Sequence, residues 1–417
     1  MKVAVIGSGI SGLVAAHTLS ARHDVVLFEG DGRIGGHTHT VDVPDGDGRV
    51  AVDTGFIVFN ERTYPNFTAL LRRLGVPWQE SDMSFSVRSE RRDFEYGSPG
   101  LSALFAQKRN LLDPRFHRMV RDILRFNREA RELLDEGREE ALLDWLARRG
   151  YSPGFVEDHL LPLVGAVWSS SRQGARAFPA RFLARFFENH GFLDVQRRFP
   201  WLTIRGGSRE YVRAILGTFP GEVRSGCPVR RITRPPGGGV RVEHAGGAPE
   251  RFDHAVVAVH ADQALELLGD PSPVEHTLLS AFPFRRNEVL LHSDARVMPR
   301  RRGAWCSWNY HLDDAYHGGA SITYWMNNLQ RLRSRRDWFV SLNRRGAVAP
   351  GATALSLSYD HPVFSSGSPA AQARHRELVG HRDTSYCGAY WRNGFHEDGV
   401  VSALRACEGL GVEALAA

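Results

Sequence analysis

The sequence opens with MKVAVIGSGISGLVAAHTL, residues 1–19. Its first six residues form an apolar run that predicts a short buried strand, and a helix-like run follows the glycines. In such a turn Gly7 permits the tight bend, Gly9 lets the backbone approach a pyrophosphate, and Gly12 lets the helix pack on the strand. With Ser11 at the phosphate-binding end of the helix, this unit predicts an α/β fold of the Rossmann type that binds a dinucleotide.

The residues after the second predicted strand indicate which dinucleotide is bound. That strand is predicted at 24–28 and is followed by Glu29, the position expected to bind a ribose hydroxyl. An acidic residue, a short linker, an Arg and a Gly-Gly pair form the pattern that flavoproteins use to bring a second loop against the FAD pyrophosphate. Here Arg33 would supply positive charge, and Gly35 and Gly36 would let backbone donors approach closely. The sequence therefore predicts FAD, and we expect it to be held noncovalently.

Motifs along the whole chain resemble the flavin-containing amine oxidase and phytoene desaturase superfamily. Besides the glycine turn and the Arg-Gly-Gly loop, they include VDTG at 52–55 and a glycine-rich segment at 388–399. More narrowly, four stretches resemble bacterial FAD-binding proteins encoded beside cyclopropane fatty acid synthases: GGHTHTVDV, VDTGFIVFNERTYPNF, RGGSREYV and YCGAYWRNGFHEDGVVSA.

The resemblance implies an amine-oxidase-like architecture of two interleaved domains. A discontinuous Rossmann-type FAD-binding domain is expected at 1–75, 205–265 and 371–417. An α+β substrate domain, partly helical, is expected at 76–204 and 266–370.

The resemblance also implies FAD contacts beyond the first loop. Val229 matches the position whose backbone meets the adenine, and a helix entered near residue 399 would place its N-terminus at the pyrimidine side of the flavin. Glu397 either orients a cofactor group or is simply favourable at a helix N-terminus. The further expected contacts are Thr54, Gly55, Val229, Gly388, Asp398, Gly399 and Val400.

No catalytic residue can be assigned from the sequence, but five side chains are candidates. His37 and His39 either touch the flavin or hydrogen-bond within their loop, and His37 is also a candidate cofactor contact. His361 is a candidate acid or base. Tyr310 and Tyr324, near Trp308 and Asn309, are aromatic residues with polar tips that either line a substrate tunnel or belong to the core.

The reaction class follows from the cofactor and from what the sequence lacks. The superfamily's amine oxidases typically place a lysine near flavin N5, whereas this chain has no lysine after Lys108. We therefore expect an FAD-dependent oxidoreductase that moves a hydride between flavin N5 and an apolar substrate, and desaturation, saturation and isomerisation all stay open. The resemblance suggests an unsaturated, methylated or cyclopropane fatty acyl chain. The alternatives are a flavin amine oxidase that releases hydrogen peroxide and a noncatalytic flavoprotein partner of a lipid-modifying synthase.

Composition and charge limit the remaining partners. The chain has 417 residues, 42% of them hydrophobic, and a net charge of +6 at pH 7. Nearly all its basic residues are Arg, a bias more simply attributed to a GC-rich coding sequence than to a binding surface, so we expect no nucleic-acid partner. Four scattered cysteines show neither a disulfide framework nor metal-ligand spacing, so we expect a cytoplasmic protein without a metal. The amphipathic Arg115–Arg128 helix either contacts anionic phospholipid headgroups at the inner face of the membrane or is a solvated face.

Overall fold

The computed structural model describes residues 1–89, 92–135, 140–169, 175–176, 178–194, 199–312, 320–365 and 367–412. The strands are β1 (Lys2–Ile6), β2 (Asp24–Phe28), β3 (Thr40–Asp45), β4 (Gly48–Asp53), β5 (Val58–Phe59), β6 (Trp78–Ser81), β7 (Phe85–Ser89), β8 (Phe94–Gly97), β9 (Trp201–Ile204), β10 (Glu222–Arg224), β11 (Val229–Thr233), β12 (Val240–His244), β13 (Glu250–Phe252), β14 (His254–Val257), β15 (Phe284–His292), β16 (Trp308–Leu312), β17 (Ile322–Trp325), β18 (Phe339–Leu342), β19 (Thr353–Pro362) and β20 (Thr384–Tyr386).

The helices are α1 (Ile10–Leu19), α2 (Pro65–Arg73), α3 (Gly100–Leu104), α4 (Pro114–Glu129), α5 (Glu132–Asp135), α6 (Leu142–Arg148), α7 (Pro153–Phe155), α8 (Leu161–Trp168), α9 (Ala180–Asn189), α10 (Arg209–Thr218), α11 (Ala261–Leu267), α12 (Pro273–Leu279), α13 (Met326–Leu329), α14 (Ser368–Ala373) and α15 (His396–Glu408).

A five-stranded parallel sheet forms the first layer, in the order β10-β2-β1-β14-β20. In β1, Val3 and Val5 pack into one apolar cluster, while Ala4 and Ile6 pack into another. Both faces of this strand are therefore buried, as expected for a parallel sheet covered on both sides. The observed architecture confirms the Rossmann-type expectation, and the carboxyl ends of β1 and β2 lead into the predicted cofactor loops.

A seven-stranded mixed sheet forms the second large element, in the order β19-β15-β18-β17-β16-β7-β8. All its neighbours are antiparallel except β16 and β7, which pair in parallel. Its strands lie within 76–204 and 266–370, while those of the parallel sheet lie within 1–75, 205–265 and 371–417. The domain boundaries themselves stay a prediction.

A separate three-stranded sheet has the order β5-β9-β6. β5 and β6 both pair with β9, which follows the helical segment that contains α8 and α9 in the chain. Across the described ranges, no helix combines the length and the hydropathy that a membrane crossing requires.

Candidate functional site

A cavity of about 1120 Å³ connects the glycine turn after β1 with the aromatic side chains of the helical segment and the large sheet. Ligand pockets commonly measure about 300–1,000 Å³, so this space is large enough to hold a sizeable ligand. One part has polar walls that include Ser8, Glu29, Asp31 and Arg33. The other part is mainly aliphatic and aromatic, so the cavity offers two chemically different compartments.

The turn after β1 leaves its backbone open toward the cavity. Gly7 has a φ of +98°, and a Cβ there would lie 2.8 Å from the carbonyl oxygen of Ala258. By contrast, a Cβ on Gly9 would meet no atom within 4 Å. Gly9 is the N-cap of α1 and no side chain caps that helix, so its first N–H groups can donate to phosphate oxygens.

Gly12 and Ser11 contribute to the same turn in different ways. A Cβ on Gly12 would lie 1.8 Å from the carbonyl oxygen of Gly7, so this glycine permits the close packing of helix and strand that the motif predicts. Gly12 itself does not line the cavity, whereas Ser11 does.

Glu29 is held at the end of β2 by donors from both sides. Its Oε2 accepts from the Ser8 N–H at 2.9 Å and from the Ser8 hydroxyl, and its Oε1 accepts from the Asp31 N–H at 2.9 Å. The Ser8 oxygen also accepts from the Gly35 N–H at 3.1 Å. These bonds fix the carboxylate and join the two cofactor loops.

The second cofactor loop comes close to the glycine turn after β1 at Gly36. Gly36 has a φ of +57°, and a Cβ there would lie 2.9 Å from the Gly9 Cα. Arg33 donates to the carbonyl oxygens of Thr38 at 2.8 Å and Gly36 at 2.7 Å. Its guanidinium therefore shapes the loop while lining the cavity. Gly35, with a φ of +127°, supports the loop from outside the cavity lining.

Four histidines and a tyrosine gather where the polar and apolar parts of the cavity meet. The ring centroid of His37 lies 5.0 Å from Tyr359, 5.4 Å from His361 and 6.0 Å from His260. Burial, followed by the charges that His361 and His260 would carry, lowers the pKa of His37 well below its ordinary value. Burial likewise lowers the pKa of His361 to about 4 and that of His39 to about 4. These imidazoles are therefore neutral at pH 7.

Tyr359 connects several of the predicted residues. Its hydroxyl lies 2.9 Å from His39 Nδ1 and 2.8 Å from Thr54 Oγ1, and Thr54 also donates to the carbonyl oxygen of His39 at 3.0 Å. The neighbouring Gly55 is required for close approach, because a Cβ there would lie 2.1 Å from the carbonyl oxygen of His37. The His39 side chain thus hydrogen-bonds to β19 rather than within its own loop, and it lines the cavity at the same time.

The C-terminal contacts divide into two groups. Gly388 lines the cavity, and a Cβ there would collide with the Tyr390 ring at 2.2 Å. Asp398, Gly399 and Val400 do not line it. Asp398 accepts from the N–H groups of Phe395 at 2.9 Å and Asn393 at 3.2 Å, which caps α15. Burial raises the pKa of Asp398 to about 6.

The other residues at the start of α15 also pack within the protein. Gly399 lies against α1, where a Cβ would meet Ile10 at 2.7 Å, and Val400 is in an apolar cluster. Glu397 accepts from the Asn66 and Phe67 N–H groups at 3.2 and 2.9 Å, so it caps α2. The helix N-terminus is thus close to the first loop, but His396 is the residue that it presents to the cavity.

The apolar part of the cavity contains only some of the predicted aromatics. Trp308 and Tyr324 line it and pack edge to face, with ring centroids 4.8 Å apart. Tyr310 is buried away from it, and Asn309 is bonded inside the sheet to Ser86. The apolar lining further includes Ile57, Met83, Phe85, Leu163, Ala166, Val167, Trp168, Phe186, Phe192, Trp201, Val289, Leu342, Leu357, Phe364 and Phe395.

Three residues of the site were not among the sequence candidates: Tyr359, His260 and His396. Tyr359 lies two residues before His361 on β19, so strand alternation places both on one face. His260 follows β14, where the carboxyl end of a parallel strand commonly faces the ligand. His396 stacks on Phe56 at 3.5 Å, a long-range contact without a local sequence signal.

The described residues fit FAD. Four features that suit FAD line the same cavity: the open backbone at Gly9, the uncapped N-terminus of α1, the carboxylate of Glu29 and the guanidinium of Arg33. Val229 also lines it. In the part of the chain that the structure describes, neither a lysine nor a cysteine lines the cavity. Cys387, which directly precedes Gly388, is fully buried outside the lining.

Comparisons with known proteins agree with this geometry. Residues 10–285 match the family model of flavin containing amine oxidoreductases. The structure is similar to cyclohexylamine oxidase from Brevibacterium oxydans IH-35A, with 17% identity, 98% of each chain covered and a TM-score of 0.73. It is also similar to a CLA-producing fatty acid isomerase from P. acnes (15% identity, 96% of each chain, TM-score 0.68) and to putrescine oxidase bound to putrescine (15%, 99% of each chain, 0.69). No curated protein matches the sequence.

The solved structures share the fold at low identity, so the assignment depends on the family match, which spans well over half of the chain. Its matched region contains the second cofactor loop, Glu29 and Val229. The chain belongs to the flavin containing amine oxidoreductase family and is an FAD-dependent oxidoreductase.

Proposed function

We propose that this enzyme moves a hydride between FAD and the hydrocarbon part of an acyl chain that is unsaturated, methylated or cyclopropane-bearing. The carrying observation is the aliphatic and aromatic compartment that continues from the cofactor wall of the cavity. The resemblance of four sequence stretches to proteins encoded beside cyclopropane fatty acid synthases supports the same substrate class. A lipid-modifying synthase is accordingly the partner we propose.

The protein's part in such a reaction is positioning and exclusion of water. FAD, when bound, supplies a site that accepts or returns a hydride. Trp308, Tyr324 and Phe186 present apolar surface that removes an acyl chain from water and restricts its orientation. The neutral imidazoles of His37 and His361 place no positive charge at the boundary, so the compartment stays compatible with a hydrocarbon.

Amine oxidation is the second candidate because two of the similar structures are amine oxidases by name. The described lining contains no lysine, and its carboxylates are Glu29, Asp31, Glu266 and Asp360. Glu29 is bonded to the first loop, and Asp360 is paired with Arg286 at 3.2 Å. No acidic cluster among the described residues therefore faces the aromatic compartment to receive an ammonium group.

The first test exposes the oxidised, FAD-loaded protein to candidate substrates without oxygen. Lipid extract with unsaturated and cyclopropane chains is added in one experiment, and a panel of amines in another. Absorbance at about 450 nm reports flavin reduction. Mass analysis of the recovered lipids then reports the number and position of double bonds. If lipid changes either the flavin absorbance or the number or position of double bonds, the proposal is supported. Reduction by amines alone contradicts it, and binding to a synthase without any turnover favours the noncatalytic partner.

A pair of variants tests whether the apolar compartment holds the substrate. Leu355 and Leu357 lie two positions apart on β19 and are both half-buried, but only Leu357 lines the cavity. We expect Leu357→Gln to lower the apparent lipid affinity about tenfold, because a polar amide replaces apolar surface worth roughly 1–2 kcal/mol. Leu355→Gln is the matched control. Equal effects of the two substitutions on lipid turnover would contradict an acyl site at this wall.

A further inference from the structure

An exposed apolar and basic surface lies outside the cofactor site, on residues 100–128. The described chain has six large exposed hydrophobic residues, and four of them belong to this segment. Leu112 is 89% exposed, Leu101 73%, Leu124 55% and Leu111 51%. Leu111 and Leu112 are adjacent in a 3-10 turn, Lys108–Leu112, which leads directly into α4. A single exposed leucine needs no explanation, but this concentration in one segment does.

Basic side chains lie in the same segment as these leucines. The segment holds seven Lys and Arg residues against two Asp residues, so it carries most of the chain's formal excess of +6. Asp113 is occupied as the N-cap of α4, and Asp122 is buried, where it accepts from the Ser152 N–H at 3.0 Å. Arg115, Arg118 and Arg121 are exposed, and none is paired with a carboxylate among the described residues.

The surface rests on an ordered platform. Phe116, Met119 and Phe126 bury the opposite side of α4, and Phe116 packs against Phe105 and Tyr96 with ring centroids 5.7 Å apart in both pairs. Asp113 and Pro114 begin the helix, so the preceding turn has a fixed position relative to α4. Burial of these anchors leaves the exposed leucines and Arg115, Arg118 and Arg121 on the outside. Arg109 and Arg125 are instead paired with Asp93 at 3.1 Å and Glu129 at 2.7 Å.

We propose that this surface, the exposed leucines and basic residues of 100–128, docks the protein onto an anionic lipid bilayer. Leu111 and Leu112 enter the apolar boundary of the leaflet, and Lys108, Arg115, Arg118 and Arg121 contact headgroup phosphates. Leu124 lies one turn from both Arg121 and Arg128, so α4 continues the same mixture along the interface. The lack of free carboxylates on this surface favours anionic headgroups over a protein surface with mixed charges.

The proposal is independent of the acyl substrate, because docking needs neither flavin chemistry nor an occupied cavity. The test is co-flotation of the FAD-loaded protein with vesicles of phosphatidylcholine and phosphatidylglycerol in roughly equal amounts, against phosphatidylcholine alone. We expect binding to the anionic vesicles that weakens with added salt. Binding to neither vesicle, or equal binding to both, would overturn the proposal even if lipid turnover were observed.

Two double variants separate the apolar and basic contributions. Leu111→Asn with Leu112→Asn, and Arg115→Gln with Arg118→Gln, are each expected to lower vesicle partitioning about tenfold or more. The controls are Val223→Asn, an exposed apolar position on β10, and Arg241→Gln with Arg251→Gln, a facing pair on β12 and β13. Both controls should partition like the wild type.

Sedimentation velocity without lipid provides the competing outcome. If the leucine variant changes the oligomeric state while vesicle binding is unaltered, the surface joins copies of the chain and membrane docking is overturned. Unchanged sedimentation with reduced flotation supports the proposal. An unaltered visible flavin spectrum in both variants confirms that they are folded.

Discussion

Gly36 is the residue at which the two cofactor loops come closest. Its φ of +57° disfavours a side chain, and a Cβ there would lie 2.9 Å from the Gly9 Cα. We expect Gly36→Ala to weaken FAD binding about tenfold or more, since the left-handed conformation alone costs about 1–2 kcal/mol for a non-glycine residue. Equilibrium titration of the apoprotein with FAD, followed by flavin fluorescence, measures the change.

The same loop provides the control for this substitution. A Cβ on Gly32 would meet no atom within 4 Å, and the φ of Gly32 is not positive. Gly32→Ala should therefore bind FAD like the wild type. If both alanine variants bind FAD equally weakly, the loss is not caused by the close approach of Gly36 to Gly9.

Individual residues differ in how far the sequence could place them. Gly7, Gly9 and Glu29 lie where the motif predicts, because local spacing fixes a strand–turn–helix. For Asp398 and Gly399 the flavin contact stays a prediction: the Asp398 side chain caps its own helix, and Gly399 packs on Ile10. An acidic residue followed by glycine near a helix start suits capping and cofactor binding equally, so local sequence cannot separate the two.

The start of α15 shows how one helix can fix another. Glu397 accepts from the Asn66 side chain at 2.6 Å and from the N–H groups that begin α2. We expect Glu397→Gln to lower the free energy of unfolding by about 1–3 kcal/mol, because hydrogen bonds to a charged acceptor are lost. Since Glu397 does not line the cavity, the visible spectrum of bound FAD should be unchanged.

Urea unfolding of the FAD-loaded protein checks this expectation. Glu408→Gln is the control, since it removes the same charge from the exposed end of the same helix. A stable Glu397→Gln protein with an altered flavin spectrum would instead assign Glu397 to the cofactor site.

Strand alternation could have predicted more of the site than His361. On β19, Leu355, Leu357, Tyr359 and His361 recur at every second position, which places them on one face. The sequence pattern defines that face. It defines neither that β19 pairs with β15 nor that Tyr359 meets His39, which lies 320 residues earlier in the chain.

At the scale of the whole molecule, the two sheets differ in how readily sequence describes them. The parallel sheet is built from short apolar runs beside recognisable loops, so its fold class could be predicted. The larger sheet pairs β7 with β16 in parallel although they are distant in the chain. Such pairing depends on tertiary packing, and periodicity within a strand carries no information about a distant partner.

Neutral buried histidines make the stability of the molecule depend on pH. Burial lowers the pKa of His254, His292 and His375 to about 4, compared with 6.5 for an exposed histidine. The unfolded chain therefore binds more protons between these values, so this stabilisation is complete above about pH 6.5 and is lost as pH falls toward 4. Each such histidine should contribute a loss of about 1–2 kcal/mol between pH 7 and pH 5.

His254 allows this dependence to be assigned to one residue. Its Nε2 lies 3.0 Å from Ser385 Oγ, and glutamine can keep a hydrogen bond there without titrating. We expect His254→Gln to be less stable than the wild type at pH 7, and this deficit to shrink by about 1–2 kcal/mol at pH 5. Urea unfolding of both proteins at the two pH values measures the difference. If the free energy of unfolding changes with pH by the same amount in both proteins, His254 does not titrate on unfolding. The pH dependence would then come from other buried groups.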